Sequence, residues 1–232
     1  MRQFITVGWG IVVWMSGAVW GQEAPPPEAP PSVVAHARAE LAERIGRVER
    51  LLPELTWQVQ PQPWTPAMLQ QVAEMLGQRE RAEKVLHSWL DGQSVVWSQR
   101  AAPDRMIALA LVRFASSEAA RAYQGLAIDL QRRQDEFFAA ASPSRRVLDS
   151  RGSSWTIPGV EEAIRSDKKL VLSDDSPPIA VTIVIIRHGP LVLELSGYNQ
   201  TIDPAWAEQV ARLLLAPLIH SVGPANPAAP NP

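Results

Sequence analysis

Residues 177–195 read PPIAVTIVIIRHGPLVLEL, and their pattern decides the fold. Pro177 and Pro178 precede Ile179 to Ile186, the most hydrophobic run beyond the amino-terminal leader. β-Branched residues dominate it, which favours a strand over a helix. His188-Gly189-Pro190 turns the chain, and Leu191 to Leu195 returns along it. The stretch predicts a β-hairpin that is apolar on both faces, and therefore covered on both sides.

Residues 106–120, MIALALVRFASSEAA, give a second strand of the same kind. Met106, Ala108, Ala110, Val112 and Phe114 share one face; Ile107, Leu109 and Leu111 share the other. Ser116 is placed to cap a following helix, with Glu118 in its first turn where the helix dipole favours an acid. Ala119, Tyr123, Leu126, Ala127 and Leu130 would form its buried stripe. Val95-Val96-Trp97 reads as a shorter strand, and Pro103-Asp104 as a turn. Ser142 to Ser154 is polar and basic and reads as solvated chain. Trp155 to Ile164 and Leu170 to Leu172 read as strand pieces. Asp203-Pro204 opens a last helix, with Trp206, Val210, Leu213 and Leu214 turned inward.

The amino-terminal side is helical. Ser32 caps a predicted helix to Leu52, with Val34, Leu41, Ile45, Val48 and Leu52 on one stripe. That stripe suits either this domain's own core or a short self-associating seam between copies. Trp57 to Pro66 looks irregular. Thr65-Pro66 starts a second helix that breaks near Gly77, resumes through Leu90 and stops at Asp91-Gly92. Strands adjacent in the chain are joined by turns too short for parallel crossovers. The expected fold is α+β, a mainly antiparallel sheet flanked by helices and preceded by an α-helical segment.

The leader carries the clearest address. Arg2 supplies a positive charge, Phe4 to Gly21 has none, and Val19-Trp20-Gly21 forms a small-residue exit. This predicts a secretory signal over residues 1–21, cleaved near Gly21, and a periplasmic or secreted protein. The alternative is an inner-membrane anchor made by residues 4–21, since about 18 apolar residues can just span a bilayer. Residues 22–32 are a proline-rich linker, 33–222 a single α+β domain with its helical lead over 33–91, and 223–232 a proline-rich disordered tail.

Composition narrows the function classes. A hydrophobic share of 46% with 20% charged residues describes a folding chain. The formal charge of −2 becomes one unit more negative without Arg2, which argues against a nucleic-acid binder. With no cysteine, thiol chemistry, disulfides and a lipobox are excluded. His36, His87, His188 and His220 form no metal-ligand spacing, and no cofactor motif is present. Ser166-Asp167-Lys168-Lys169 matches the S-x-x-K of serine acylases, but nothing reads as their second and third motifs, and Asp167-Lys168-Lys169 looks like a solvated turn. Glu161-Glu162 and Asp174-Asp175 are acidic pairs whose neighbours would point to opposite faces of a strand. A hydrolase would therefore need carboxylates dispersed along the chain. Asn199-Gln200-Thr201 is a glycosylation sequon by pattern.

The phrases Val112-Arg113-Phe114-Ala115-Ser116-Ser117-Glu118-Ala119-Ala120, Gly159-Val160-Glu161-Glu162-Ala163 and Val184 through Glu194 together resemble exported α+β domains of the PsbP-like type. The resemblance covers about Val95 to Leu218. It implies a non-catalytic accessory, binding or sensing module outside the cytoplasm. The missing lipobox cysteine and the helical lead depart from that pattern. Candidate contacts for an envelope partner or small ligand are Trp57 and Trp64, as an aromatic platform; Arg145, Arg146 and Arg151, as a basic cluster; and His188 in the hairpin turn.

Overall fold

The structure is a computed structural model, and it describes residues 5–7, 11–13, 43–52, 57–62, 65–102, 104–141, 146–171 and 177–215. The linker, the tail, Val34, Leu41, Trp64, Arg145, Asp174 and Asp175 lie outside these. Of the leader, two three-residue strands, β1 (Ile5–Val7) and β2 (Ile11–Val13), pair with each other. Among the described residues no helix is long and apolar enough to cross a membrane.

The body of the fold is an antiparallel seven-stranded sheet. Its strands are β3 (Trp57–Gln62), β4 (Trp89–Gln99), β5 (Met106–Phe114), β6 (Arg146–Trp155), β7 (Glu162–Val171), β8 (Ile179–His188) and β9 (Leu191–Tyr198). In space they run β3-β4-β5-β9-β8-β7-β6. The hairpin β8–β9 and strand β5 thus occupy the middle, as their two-sided apolar pattern requires. Helices α2 (Pro66–Met75), α3 (Arg79–Leu86) and α4 (Ser117–Ala141) cover one face. The other is covered by α1, residues 43–48 continued by a 3-10 turn at Glu49–Leu51, and by α5 (Pro204–Leu215). The result is α+β.

The helix caps follow the sequence. The Thr65 hydroxyl accepts from the Met68 amide at 3.4 Å, the Ser116 hydroxyl from Ala119 at 3.1 Å and the Asp203 carboxylate from Trp206 at 3.0 Å. Ile45 and Val48 are buried against α5 and the sheet, and Leu52 packs beside them. The described part of the predicted self-associating stripe therefore faces this chain's own core. Two side chains fasten α1 to α5. Buried Arg44 donates to the Leu214 carbonyl at the end of α5, and the Trp206 indole donates to the Leu51 carbonyl at 2.9 Å. Each meets a carbonyl at a helix end that lacks an intrahelical donor.

Four expectations are corrected. Trp57 to Gln62 is a strand, because β4 supplies the backbone partners that its own sequence does not announce. The second helix ends at Leu86 and β4 already begins at Trp89; Asp91 and Gly92 lie within the strand, with a register shift between Trp89 and Asp91. Arg146 to Trp155 is a ten-residue strand although most of it is exposed, since pairing with β7 alone satisfies its inner edge. Ser166 to Lys169 lies in the middle of β7 and is no turn.

Candidate functional site

Beneath α4 the sheet carries a polar layer that the apolar pattern hides. Glu194, Ser196 and Tyr198 alternate along β9 and so project to the same face. All three are buried. The Tyr123 hydroxyl, from α4, bonds one oxygen of Glu194 at 2.7 Å. The Tyr123 ring is held by Trp89 and Phe114, with centroids 5.9 and 4.9 Å away. The second Glu194 oxygen, the Ser196 hydroxyl and the Tyr198 hydroxyl have no hydrogen-bond partner among the described residues. Burial pushes the Glu194 carboxyl up to about 8, against the smaller opposing pull of the Tyr123 hydrogen bond. Burial, and next the neighbouring Glu194 charge, also raises Tyr198. Glu194 is therefore a neutral acid inside an apolar core at neutral pH. The sequence did offer a signal for it: a single carboxylate inside a strand that is otherwise apolar on both faces.

One strand away, Arg187 is buried and fixed on three sides. It donates to the Gln124 side-chain amide oxygen at 3.2 Å, to Glu161, and to Glu162 at 3.4 Å. Glu161 also accepts from the Gly189 amide at 3.1 Å, in a turn where Gly189 has φ 55°. This backbone bond, and then Arg187, holds the Glu161 carboxyl below its usual range. The expectation that Glu161 and Glu162 diverge is corrected. Glu161 precedes the strand, so both acids reach one guanidinium. Replacing both acids by glutamine leaves the buried Arg187 charge without a counter-charge, which is destabilising. Thermal unfolding at pH 7 should therefore show the double variant Glu161→Gln/Glu162→Gln melting below Arg187→Met, which leaves two solvated acids instead.

The S-x-x-K reading fails on geometry. In a strand Ser166 and Lys169 project to opposite faces, so the lysine cannot serve the serine. Lys168, between them, is buried and paired with Asp135 of α4. Burial raises the Asp135 carboxyl despite that ammonium. Asp167 accepts from Arg165 at 2.8 and 3.1 Å and from Thr182 at 2.8 Å, and the Arg165 bond comes first among the causes that lower its carboxyl.

The predicted contact residues that are described, Trp57, Arg146, Arg151 and His188, are not brought together. Trp57 opens β3 at one edge of the sheet, while Arg146 and Arg151 lie on β6 at the other. Arg146 and Arg151 are both exposed, five residues apart on an extended strand, and Arg151 pairs with Asp149 at 3.3 Å. His188 ends β8, half-buried, with its Nδ1 buried and unbonded among the described residues. Asn199 of the sequon has φ 46°, and its side chain is used: the amide oxygen accepts from Ala180 at 3.1 Å and the nitrogen donates to Asp104 at 3.2 Å.

A groove of about 250 Å³ lies between Leu51, Ile107, Gln200, Thr201, Asp203 and Trp206. Among the described residues Asp203 is its one lining acid, and it caps α5. Among the described residues no group of three or more His, Asp or Glu could hold a metal ion.

No family model matches the chain, and no curated protein matches it. Among solved structures, it is similar to the extracellular domain of PknH from Mycobacterium tuberculosis, at 11% identity and a TM-score of 0.43. The match covers 73% of this chain and 88% of that one.

Proposed function

We propose that this chain is an exported, non-catalytic accessory module that binds a partner protein or small ligand in the cell envelope. One observation carries the non-catalytic reading. Among the side chains that the sequence offers for chemistry, Glu161 and Glu162 are engaged as internal fasteners on Arg187, and Ser166 and Lys169 of the S-x-x-K stretch project to opposite faces of β7. The charged and small-residue layout of the leader supports export, and the PsbP-like phrasing of strands and turns supports an accessory role.

The groove beside Trp206 is the binding element within this reading. Its volume falls below the 300–1,000 Å³ typical of small-molecule sites, and its walls are mainly apolar. It suits one apolar side chain or a ligand fragment. The Trp206 indole nitrogen is already bonded to Leu51, which leaves the ring for packing.

The deciding measurement is the native mass of the protein released gently from its own envelope. The expected result is a chain beginning at Gln22 carrying a second component, which Trp206→Ala releases. Turnover of an envelope substrate that disappears with Glu161→Gln or Ser166→Ala would overturn the reading.

A further inference from the structure

At the β6 edge of the sheet the side chains are laid open on both faces. β6 pairs with β7 from Arg146 to Trp155, and among the described residues no other strand lies beyond it. Its outer row of backbone donors and acceptors has no strand partner there. A long edge of this kind is a template for another strand. Leu148, at the bulge between Val147 and Asp149, is 49% exposed, one of two large apolar side chains so placed among the described residues.

The charges on this edge alternate in a way that selects its partner. Asp149 lies opposite Lys169 of β7, and Arg151 lies opposite Asp167. All four are on one face of the sheet, where β6 and β7 thus form a two-by-two checkerboard of signs. Arg151 is 82% exposed and Asp149 46%; they pair with each other along the strand at 3.3 Å, an exposed pair that can exchange for the same pair across the edge.

Consider a second copy of β6 laid antiparallel against the first. In a strand, alternate residues direct both backbone groups to the same side. A two-fold pairing must therefore centre on a residue facing its own copy. Centring on Asp149 or on Arg151 sets like charges against each other, which cross-strand pairing penalises. Centring on Gly152 sets Arg151 against Ser153 and Asp149 against Trp155, with no charge matched. Centring on Ser150 sets Arg151 against Asp149 of the copy, and Asp149 against its Arg151.

We propose that β6 is a self-association edge: two copies of this chain join antiparallel about Ser150, matching Asp149 with Arg151 twice. Each row across the junction then runs Lys169, Asp149, Arg151 of the copy, Asp167 of the copy, with alternating sign throughout. Edge charges and a bulge ordinarily discourage indiscriminate pairing. Here they reject a strand out of register and admit this one. Self-association thus belongs to the far edge of the sheet and not to the helical stripe of Ile45 and Val48.

The test uses the full-length chain and two exposed charge reversals, Asp149→Arg and Arg151→Asp, with molar mass read by light scattering over a hundredfold concentration range. The wild type is expected to reach twice the chain mass. Each variant alone sets like charges across the junction and is expected to weaken association at least tenfold; circular dichroism should confirm that each remains folded, since each reversal also faces a like charge on β7. Mixing the two variants sets the introduced arginine of one chain against the introduced aspartate of the other, and is expected to restore a mixed dimer. A wild type that stays monomeric throughout overturns the proposal and leaves the edge to an extended segment of another protein. Variants that dimerise like the wild type, or a mixture that stays monomeric, overturn the register.

Discussion

The Glu194→Gln variant is expected to gain stability on the wild type steadily as the pH rises from 5 to 8. In the unfolded chain this carboxyl ionises near 4.5, whereas in the folded protein burial holds its proton to about 8. Below pH 4.5 both states are protonated, and the stabilising contribution is fully present. As the pH rises toward 8 only the unfolded chain loses the proton, so the folded state loses ground by about 1.4 kcal/mol per pH unit. Between pH 4.5 and 7 this amounts to about 3 kcal/mol. Glutamine keeps the carbonyl that accepts from Tyr123 but cannot ionise, so its profile lacks this slope. Urea unfolding of both proteins at pH 5, 6, 7 and 8 reads the difference directly. A constant gap between them would show that Glu194 is not held neutral inside the fold.

Gly197→Ala is expected to cost about 3 kcal/mol or more, the upper end of what overpacking a core incurs. Gly197 lies on β9 opposite Ile107 and Thr182, where residues 199–202 fold back over the sheet. A methyl group there would stand 2.1 Å from the Gln200 carbonyl oxygen and 3.2 Å from the Ile202 side chain. Neither neighbour can yield cheaply. Gln200 meets it with backbone, in a turn set by Asn199 at positive φ, and Ile202 is fully buried. Gly46→Ala is the matching control. It lies in α1 with nothing within 4 Å of the added atom, so it should stabilise by about 0.5–1 kcal/mol. Thermal and urea midpoints of the two variants should therefore move in opposite directions. A Gly197→Ala protein as stable as the wild type would mean that this turn does not pack against β9.

Both effects arise within the hairpin whose apolar run opened the sequence reading, and they show what such a run conceals. Its length and two-sided hydrophobicity were enough to place β8 and β9 at the centre of an antiparallel sheet, and the helix caps at Thr65, Ser116 and Asp203 were legible because capping is local chemistry. What Glu194 meets there was not legible, because Tyr123 is 71 residues away. The same distance effect hid the Arg187 clamp on Glu161 and Glu162, which local strand geometry wrongly separated.

By itself, then, the sequence determined the elements whose stabilising contacts are made within a few residues or by uniform apolar burial: the α4 stripe, strands β5, β8 and β9, and the α+β class. The tertiary structure alone decided β3 and β6, whose own residues carry too little apolar pattern to announce a strand. Their backbone groups are satisfied by neighbouring strands. It also decided which charges are structural and which face outward at the β6 edge. Pairing partners and burial are properties of the folded neighbourhood, and no local window of the chain contains them.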